Sequence, residues 1–138
     1  MLKNILAYFY LMPFFLISIH TTFADPLDDL QISNELASEF NAGNLILAER
    51  LLNDLKDPTL NLIWTSNIIG KYYEIDDLKS VVRLLPNLKD PNLNQIWISN
   101  VILKAMTLKK CDIGKPLISK LEDKNLQTIW FTNYKLGC

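Results

Sequence analysis

The sequence predicts an all-α fold, an alpha-alpha superhelix of helical hairpins with about three and a half copies of one unit. Trp64-Thr65-Ser66-Asn67 returns as Trp97-Ile98-Ser99-Asn100 and again as Trp130-Phe131-Thr132-Asn133, each time 33 residues later with no insertion. The register extends to Leu51-Leu52, Leu84-Leu85 and Leu117-Ile118, to Leu55, Leu88 and Leu121, and to Asp57, Asp90 and Asp123. A fixed period of about 20 to 50 residues marks stacked supersecondary units, none of which buries its apolar face alone. Apolar residues recur three to four apart and no segment alternates with period two, so the units are helical.

The first 24 residues stand outside the repeat. One cation, Lys3, precedes an apolar run from Ile5 to Ile19, and Thr22-Phe23-Ala24 then places small residues where a signal peptidase reads. Cleavage after Ala24 is expected. A membrane anchor is the competing reading, but a span needs about 20 apolar residues, and this run is shorter and holds Pro13. No Cys follows the cleavage site to carry a lipid, and no twin-Arg pair precedes the run. The mature chain is therefore expected to be exported, without stable membrane insertion. None of its Asn residues begins an Asn-x-Ser/Thr acceptor, which favours a bacterial periplasm over a eukaryotic secretory route.

Within residues 25–138 the elements follow in order. A degenerate first copy (about 27–59) has Gln31-Ile32-Ser33-Asn34 where the others have Trp-x-Ser/Thr-Asn, a turn at Asn41 to Asn44, and a second helix from Asn44 to Leu55. The next copy (60–92) is announced by Asp57-Pro58, an N-cap followed by Pro at the first helical position, where its missing N–H costs nothing. Its first helix is expected to reach about Tyr73, with Leu60, Ile63, Trp64, Ile68, Ile69 and Tyr72 on one broad apolar face. After a turn at Glu74 to Asp76, a second helix carries Leu78, Val81, Val82, Leu84, Leu85 and Leu88. Asp90-Pro91 opens the third copy (93–125), and residues 126–138 form a last single helix. The acidic pairs Asp28-Asp29 and Asp76-Asp77 are read as helix-start residues accepting from free backbone N–H groups, not as carboxylate dyads.

Asp57-Pro58, seven residues before Trp64, with the run Gly70-Lys71-Tyr72-Tyr73-Glu74-Ile75-Asp76, resembles the first helix and turn of a tetratricopeptide (TPR) repeat. The resemblance covers residues 27 to 138 in architecture and implies a superhelix with a concave binding face. It departs from the family pattern in several places. The period is one residue shorter, Tyr72 falls one residue late relative to Trp64, Asn67-Ile68 stands where Leu-Gly is usual, and Ser80 and Ile113 replace the small residue of the second helix. Ankyrin repeats share the period, but their Thr-Pro-Leu-His signature is missing.

Composition excludes more chemistry than it suggests. The single His, His20, lies in the segment to be removed, so the mature chain has no imidazole for base catalysis or zinc. Neither a Gly-rich phosphate loop nor a Gly-x-Ser-x-Gly elbow is present. Removing Lys3 from 14 cations against 15 acids leaves a charge near minus two, with no basic stripe for nucleic acid. No catalytic residue, metal or cofactor is assigned.

The remaining features point to a protein or peptide partner. Asn34, Asn67, Asn100 and Asn133 form a column along successive first helices. Anchored on Trp64, that column is a buried amide ladder between repeats, the favoured reading; anchored on Tyr72, it faces the groove where TPR amides hold a peptide backbone, with Lys71 and Lys104 as further candidate contacts. The Trp column is read as packing between repeats. Cys111 and Cys138 fall at the same end of the stack, and a bond between them would close about 28 residues and stabilise by roughly 3.5 kcal/mol. Buried thiols or an intermolecular bond are the alternatives. Trp130, Phe131, Tyr134 and Leu136 leave the last helix apolar on more than one side, so it needs either that clamp or a homodimer through residues 126–138. The expected function is a non-catalytic scaffold or adaptor; the alternative is a periplasmic inhibitor or immunity protein that blocks an envelope-targeting enzyme.

Overall fold

A computed structural model of the chain describes residues 26–138, so the predicted leader lies outside the described residues. Seven α-helices follow one another there: α1 (Pro26–Asn41), α2 (Leu45–Leu52), α3 (Pro58–Glu74), α4 (Leu78–Leu84), α5 (Pro91–Thr107), α6 (Cys111–Ile118) and α7 (Lys124–Gly137). No strand occurs among the described residues. Each helix packs on the next in chain order, and α7 also reaches back to α5.

The helix starts are where the Asp register put them. Asp57 Oδ1 accepts from the N–H of Thr59 and Leu60, both at 2.8 Å, and Pro58 follows at the first helical position. Asp90 accepts from Leu93 N–H at 2.8 Å, and Asp123 from Asn125 and Leu126 at 2.8 and 3.2 Å. These bonds satisfy N–H groups that have no partner inside the helix. The turns repeat as closely. Gly43, Asp76 and Lys109, spaced 33 residues apart, take positive φ of 79°, 62° and 59°. The N–H of the following residue, Asn44, Asp77 or Lys110, bonds back to the carbonyl of Glu39, Tyr72 or Ala105 at 2.8 to 3.0 Å, the Schellman closure of a helix end.

Two boundaries differ from expectation: α2 ends at Leu52 and does not reach Leu55, and the second helix of the next copy is shorter as well. The second helix of the second copy stops at Leu84, and Leu85–Asn87 tighten into a 3₁₀ turn instead of continuing to Leu88. α2 and α6 end at Leu52 and Ile118, the register of Leu85, with Asn53 and Ser119 in the place of Pro86, so the early end belongs to every copy. Pro86, which has no N–H to give, reinforces it in α4.

Leu36, Ile68, Ile69, Val81, Val101, Ile102 and Ile118 lose all contact with solvent and form the spine of the core. Each such side chain contributes about 1.5 to 3 kcal/mol relative to exposure. The Trp column seals the seams between first helices while remaining partly exposed. Trp64 Nε1 donates to Ser33 Oγ at 2.8 Å, and its ring meets Phe40 edge-on at 5.7 Å. Trp97 repeats both contacts, with Ser66 at 3.3 Å and Tyr73 at 5.6 Å. Trp130 does not: its Nε1 is buried without a partner, and Met106 stands where Phe40 and Tyr73 stood.

The C-terminal helix is clamped. Cys111, the first residue of α6, is bonded to Cys138 with Cα atoms 6.0 Å apart. Between them Tyr134 crosses into the core and donates to the Ile102 carbonyl at 2.8 Å. Its hydroxyl occupies the space above Gly114, where an added Cβ would lie 1.7 Å from Oη.

Candidate protein-binding face

Helical geometry puts residues i, i+4 and i+7 on one face. On the first helices that face carries Leu30, Asn34 and Ala37 in α1, Ile63, Asn67 and Gly70 in α3, Ile96, Asn100 and Leu103 in α5, and Ile129, Asn133 and Leu136 in α7. Leu30, Ile63, Ile96 and Ile129 are 56, 49, 56 and 55 % exposed, a degree of exposure shared by all four large aliphatic side chains. Asn34, Asn67 and Asn133 are exposed beside them, and Asn100 is half-buried. The Trp–Ser bonds hold α1 beside α3 and α3 beside α5, while Tyr134 holds α7 beside α5. The two columns therefore run side by side across four helices.

This placement corrects the buried-ladder reading. Among the described residues the four amides make no side-chain hydrogen bond to protein, and three of them are exposed while Ile68, Ile69, Val101 and Ile102 are fully buried. Ile63, read as a core position, is half exposed as well. A half-buried amide ladder does exist, six residues earlier. Asn61 Nδ2 donates to the Leu52 carbonyl at 3.0 Å, Asn94 Nδ2 to that of Leu85 at 2.6 Å, and Gln127 Nε2 to that of Leu121. These amides satisfy carbonyls freed at the ends of the second helices. Asp29 adds a tie of the same kind, accepting from Lys56 and Asp57 N–H at 2.9 and 2.8 Å. It lies in the first turn of α1, as the helix-start reading expected, but the free N–H groups it accepts from belong to a neighbouring loop and not to its own helix. Sixty-six residues on, Gln95 accepts from Glu122 N–H at 3.0 Å.

The candidate lysines are engaged within the fold. Lys104, only 19 % exposed in its side chain, pairs with Asp76 at 2.6 Å, donates to the Tyr73 carbonyl, and lies 4.2 Å from the centre of the Tyr73 ring. That is a tie between α5 and the preceding turn, and it leaves no free ammonium for a ligand. Lys71 pairs with Glu74 at 3.0 Å on the helix surface.

A second polar cluster lies on the other side of the hairpins. Glu49 of α2 accepts from Tyr72 Oη at 2.6 Å and from both Arg83 nitrogens at 2.7 and 2.8 Å. Burial pushes the Glu49 carboxyl up, but the Arg83 and Tyr72 hydrogen bonds and the guanidinium charge outweigh it and hold the group below its ordinary value. Burial, then the bond to Glu49, pushes Tyr72 up to about 12. Both shifts lock each group in one protonation state near neutral pH, the opposite of a proton-transfer pair. The cluster is a bidentate tie joining α2, α3 and α4. Asp77 caps α4, accepting from Ser80 N–H at 3.2 Å and Oγ at 2.7 Å, as the helix-start reading expected.

A cleft of about 580 Å³ lies between the α2–α3 and α4–α5 loops and is lined in part by Lys56, Asn61 and Asp90, already committed to loop ties and caps. Among the described residues no helix is long and apolar enough to cross a membrane, and no three His, Cys, Asp or Glu are grouped to hold a metal ion. No protein-family model matches this chain, and searches of curated proteins and of solved structures likewise returned no match.

Sequence reasoning found the Asn column and missed its aliphatic neighbour. The signal was present: an uninterrupted Leu or Ile column at positions 30, 63, 96 and 129. Only Ile63 enters the sequence reading, as one residue of an apolar helix face, because Ile is usually buried.

Proposed function

We propose that this chain is an exported, non-catalytic TPR-like α-solenoid that binds an extended segment of a protein partner on the shared face of its first helices. The observation that carries the reading is the pair of exposed columns, Leu30, Ile63, Ile96 and Ile129 beside Asn34, Asn67, Asn100 and Asn133. Four large aliphatic side chains half exposed in register form the kind of apolar patch that marks an interface. Amide side chains beside them donate to peptide carbonyls and accept from peptide N–H groups, which fixes a backbone without selecting its sequence. Export is supported by the Cys111–Cys138 bond, since disulfides persist in oxidising compartments. Intact mass of protein recovered from the envelope should begin at Asp25; a chain beginning at Met1 would remove the export claim.

A random peptide library panned against the protein tests the face. Selected peptides should lose binding to Ile96→Ser and to Asn100→Ala; Ile96 is exposed and the half-buried Asn100 makes no side-chain hydrogen bond, so both variants should melt as the parent does. Peptides indifferent to both substitutions would overturn the reading. Hydrolase activity in the pure protein, abolished by one Asp or Glu substitution, would overturn its non-catalytic part.

A further inference from the structure

We infer that the segment held on this face is an uncharged polyproline-II stretch with an apolar side chain at every third residue, an inference that rests on the peptide-binding reading above. Three observations select it. The first is spacing. The Trp64–Ser33 and Trp97–Ser66 bonds tie α1 to α3 and α3 to α5 across seams for which a helix-packing separation of about 8 to 10 Å is the general expectation, and α1, α3, α5 and α7 each offer one aliphatic side chain and one Asn at the same register position. A polyproline-II helix has three residues per turn and rises about 3.1 Å per residue, so one side of it returns roughly every 9.3 Å. A β-strand returns a side chain to the same face about every 6.6 to 6.8 Å, and is out of step with the helices by the second contact.

The second is the amide column. The four Asn side chains have no side-chain partner among the described residues and offer one amide per first helix. An α-helical ligand has its carbonyls already bonded within itself and leaves these donors unanswered. Polyproline-II backbone has no internal hydrogen bonds, so its carbonyls are free to accept one Asn Nδ2–H per turn.

The third is charge. The Leu30–Asn34–Ala37, Ile63–Asn67–Gly70, Ile96–Asn100–Leu103 and Ile129–Asn133–Leu136 rows hold no charged residue, and the rim cations Lys71 and Lys104 are paired with Glu74 at 3.0 Å and Asp76 at 2.6 Å. A charged ligand side chain pressed against these aliphatics would lose its water and gain no counter-ion. The complementary partner is neutral and rich in Pro and aliphatic residues, and four contacts span about ten residues at three residues per contact.

Fluorescence anisotropy with the purified chain tests this using two labelled, capped peptides of one composition: Leu-Pro-Pro-Leu-Pro-Pro-Leu-Pro-Pro-Leu, and Leu-Pro-Leu-Pro-Leu-Pro-Leu-Pro-Pro-Pro. The first should bind at least about tenfold more tightly, and Ile96→Ser and Asn100→Ala should each weaken it by about tenfold while circular dichroism melts stay unchanged. Equal or tighter binding of the second peptide, still weakened by Ile96→Ser, would overturn the polyproline-II assignment and leave the peptide-binding face standing. Binding by neither peptide, or binding indifferent to Ile96→Ser, would overturn both.

Discussion

Where α3 meets α5, the contact is made by Trp97, its indole N–H on Ser66 and its edge against Tyr73, over a core of Ile68, Val101 and Ile102 that admits no solvent. Where α6 meets α7, the same register positions hold other residues. Tyr134 stands in the column of Ile68 and Val101, Gly114 in that of Ala48 and Val81, and Lys135 in that of Ile69 and Ile102. Cys111 replaces Leu45 and Leu78, while Cys138 follows Tyr72 and Ala105. In the middle, neighbours on both sides supply apolar surface, so branched aliphatics suffice. At α7 a covalent bond to α6 and one deeply inserted Tyr hold the helix against α5 and α6. The period preserves backbone geometry, including the left-handed turn residue, and leaves volume free to be redistributed.

The largest expected effect separates the two regions. Trp97→Ala should cost about 3 to 5 kcal/mol by opening a cavity at a seam with helices on both sides. Trp130→Ala should cost clearly less, because its indole N–H already lacks a partner and the disulfide keeps α7 in place. Urea unfolding compares them, and equal losses would count against stacking by nearest neighbours. Reducing the Cys111–Cys138 bond should lower stability by roughly 3.5 kcal/mol on the loop-entropy account, read as a fall in melting temperature with dithiothreitol. Non-reducing peptide mapping that found free thiols would remove the clamp and make light scattering the test for pairing through residues 126–138, where Leu136 remains 85 % exposed.

A middle-sized effect tests the exchange of volume at the end. An added methyl at Gly114 would sit 1.7 Å from Tyr134 Oη and 2.9 Å from the Ala105 Cβ, so Gly114→Ala should destabilise by about 2 to 3 kcal/mol. Tyr134→Val, which restores the residue type of the preceding copy, should recover much of that loss in the double variant. Strictly additive losses in the double-mutant cycle would show that the two positions are not coupled.

How much of this the sequence disclosed depends on whether a feature is local or shared between copies. Helix starts and turns were readable because Asp57, Asp90 and Asp123 act on N–H groups two or three residues away, and spacing alone specifies such contacts. The ends of α2 and α4 fall short of the apolar pattern, because Leu55 and Leu88 are buried from the loop that follows each helix and not from the helix itself. The Asn column was found but its orientation was not, because Asn67 lies between the Trp64 and Tyr72 registers and only packing decides which side faces water. The working amides, Asn61 and Asn94, gave little warning, since their partners are carbonyls nine residues away across a loop. The Glu49–Arg83 pair spans 34 residues and has no counterpart in the other copies, so no period could announce it.

That cluster sets a pH prediction for the middle region. Below about pH 10 Tyr72 is protonated folded and unfolded, and its contribution is complete. Its folded value near 12 exceeds the ordinary 10, so between those pH values the unfolded chain releases the proton first and stability falls, by up to about 2 kcal/mol. Glu49 acts in the opposite sense: its value is lowered in the folded chain, so its contribution is complete above the ordinary 4.5 and is lost as pH falls below it. Urea midpoints of Tyr72→Phe should therefore fall less than those of the parent between pH 9.5 and 11.5. Parallel curves would remove Tyr72 from the account.

The smallest effect makes the finest comparison, because it uses the same substitution at three register-equivalent sites. Ser33 and Ser66 accept the indole N–H of Trp64 and Trp97 at 2.8 and 3.3 Å. Ser33→Ala and Ser66→Ala should each cost about 1 kcal/mol, since removing the acceptor leaves a largely buried N–H unsatisfied. Ser99 occupies the same place relative to Trp130, whose N–H has no partner among the described residues. Ser99→Ala should then be close to neutral, within about 0.5 kcal/mol. Because all three Ser lie on first helices in the same register, propensity changes cancel in the comparison and the difference reports the hydrogen bond alone. A loss at Ser99 as large as at Ser66 would mean that the Trp130 indole finds its serine in solution, and that the terminal seam is built like the central ones.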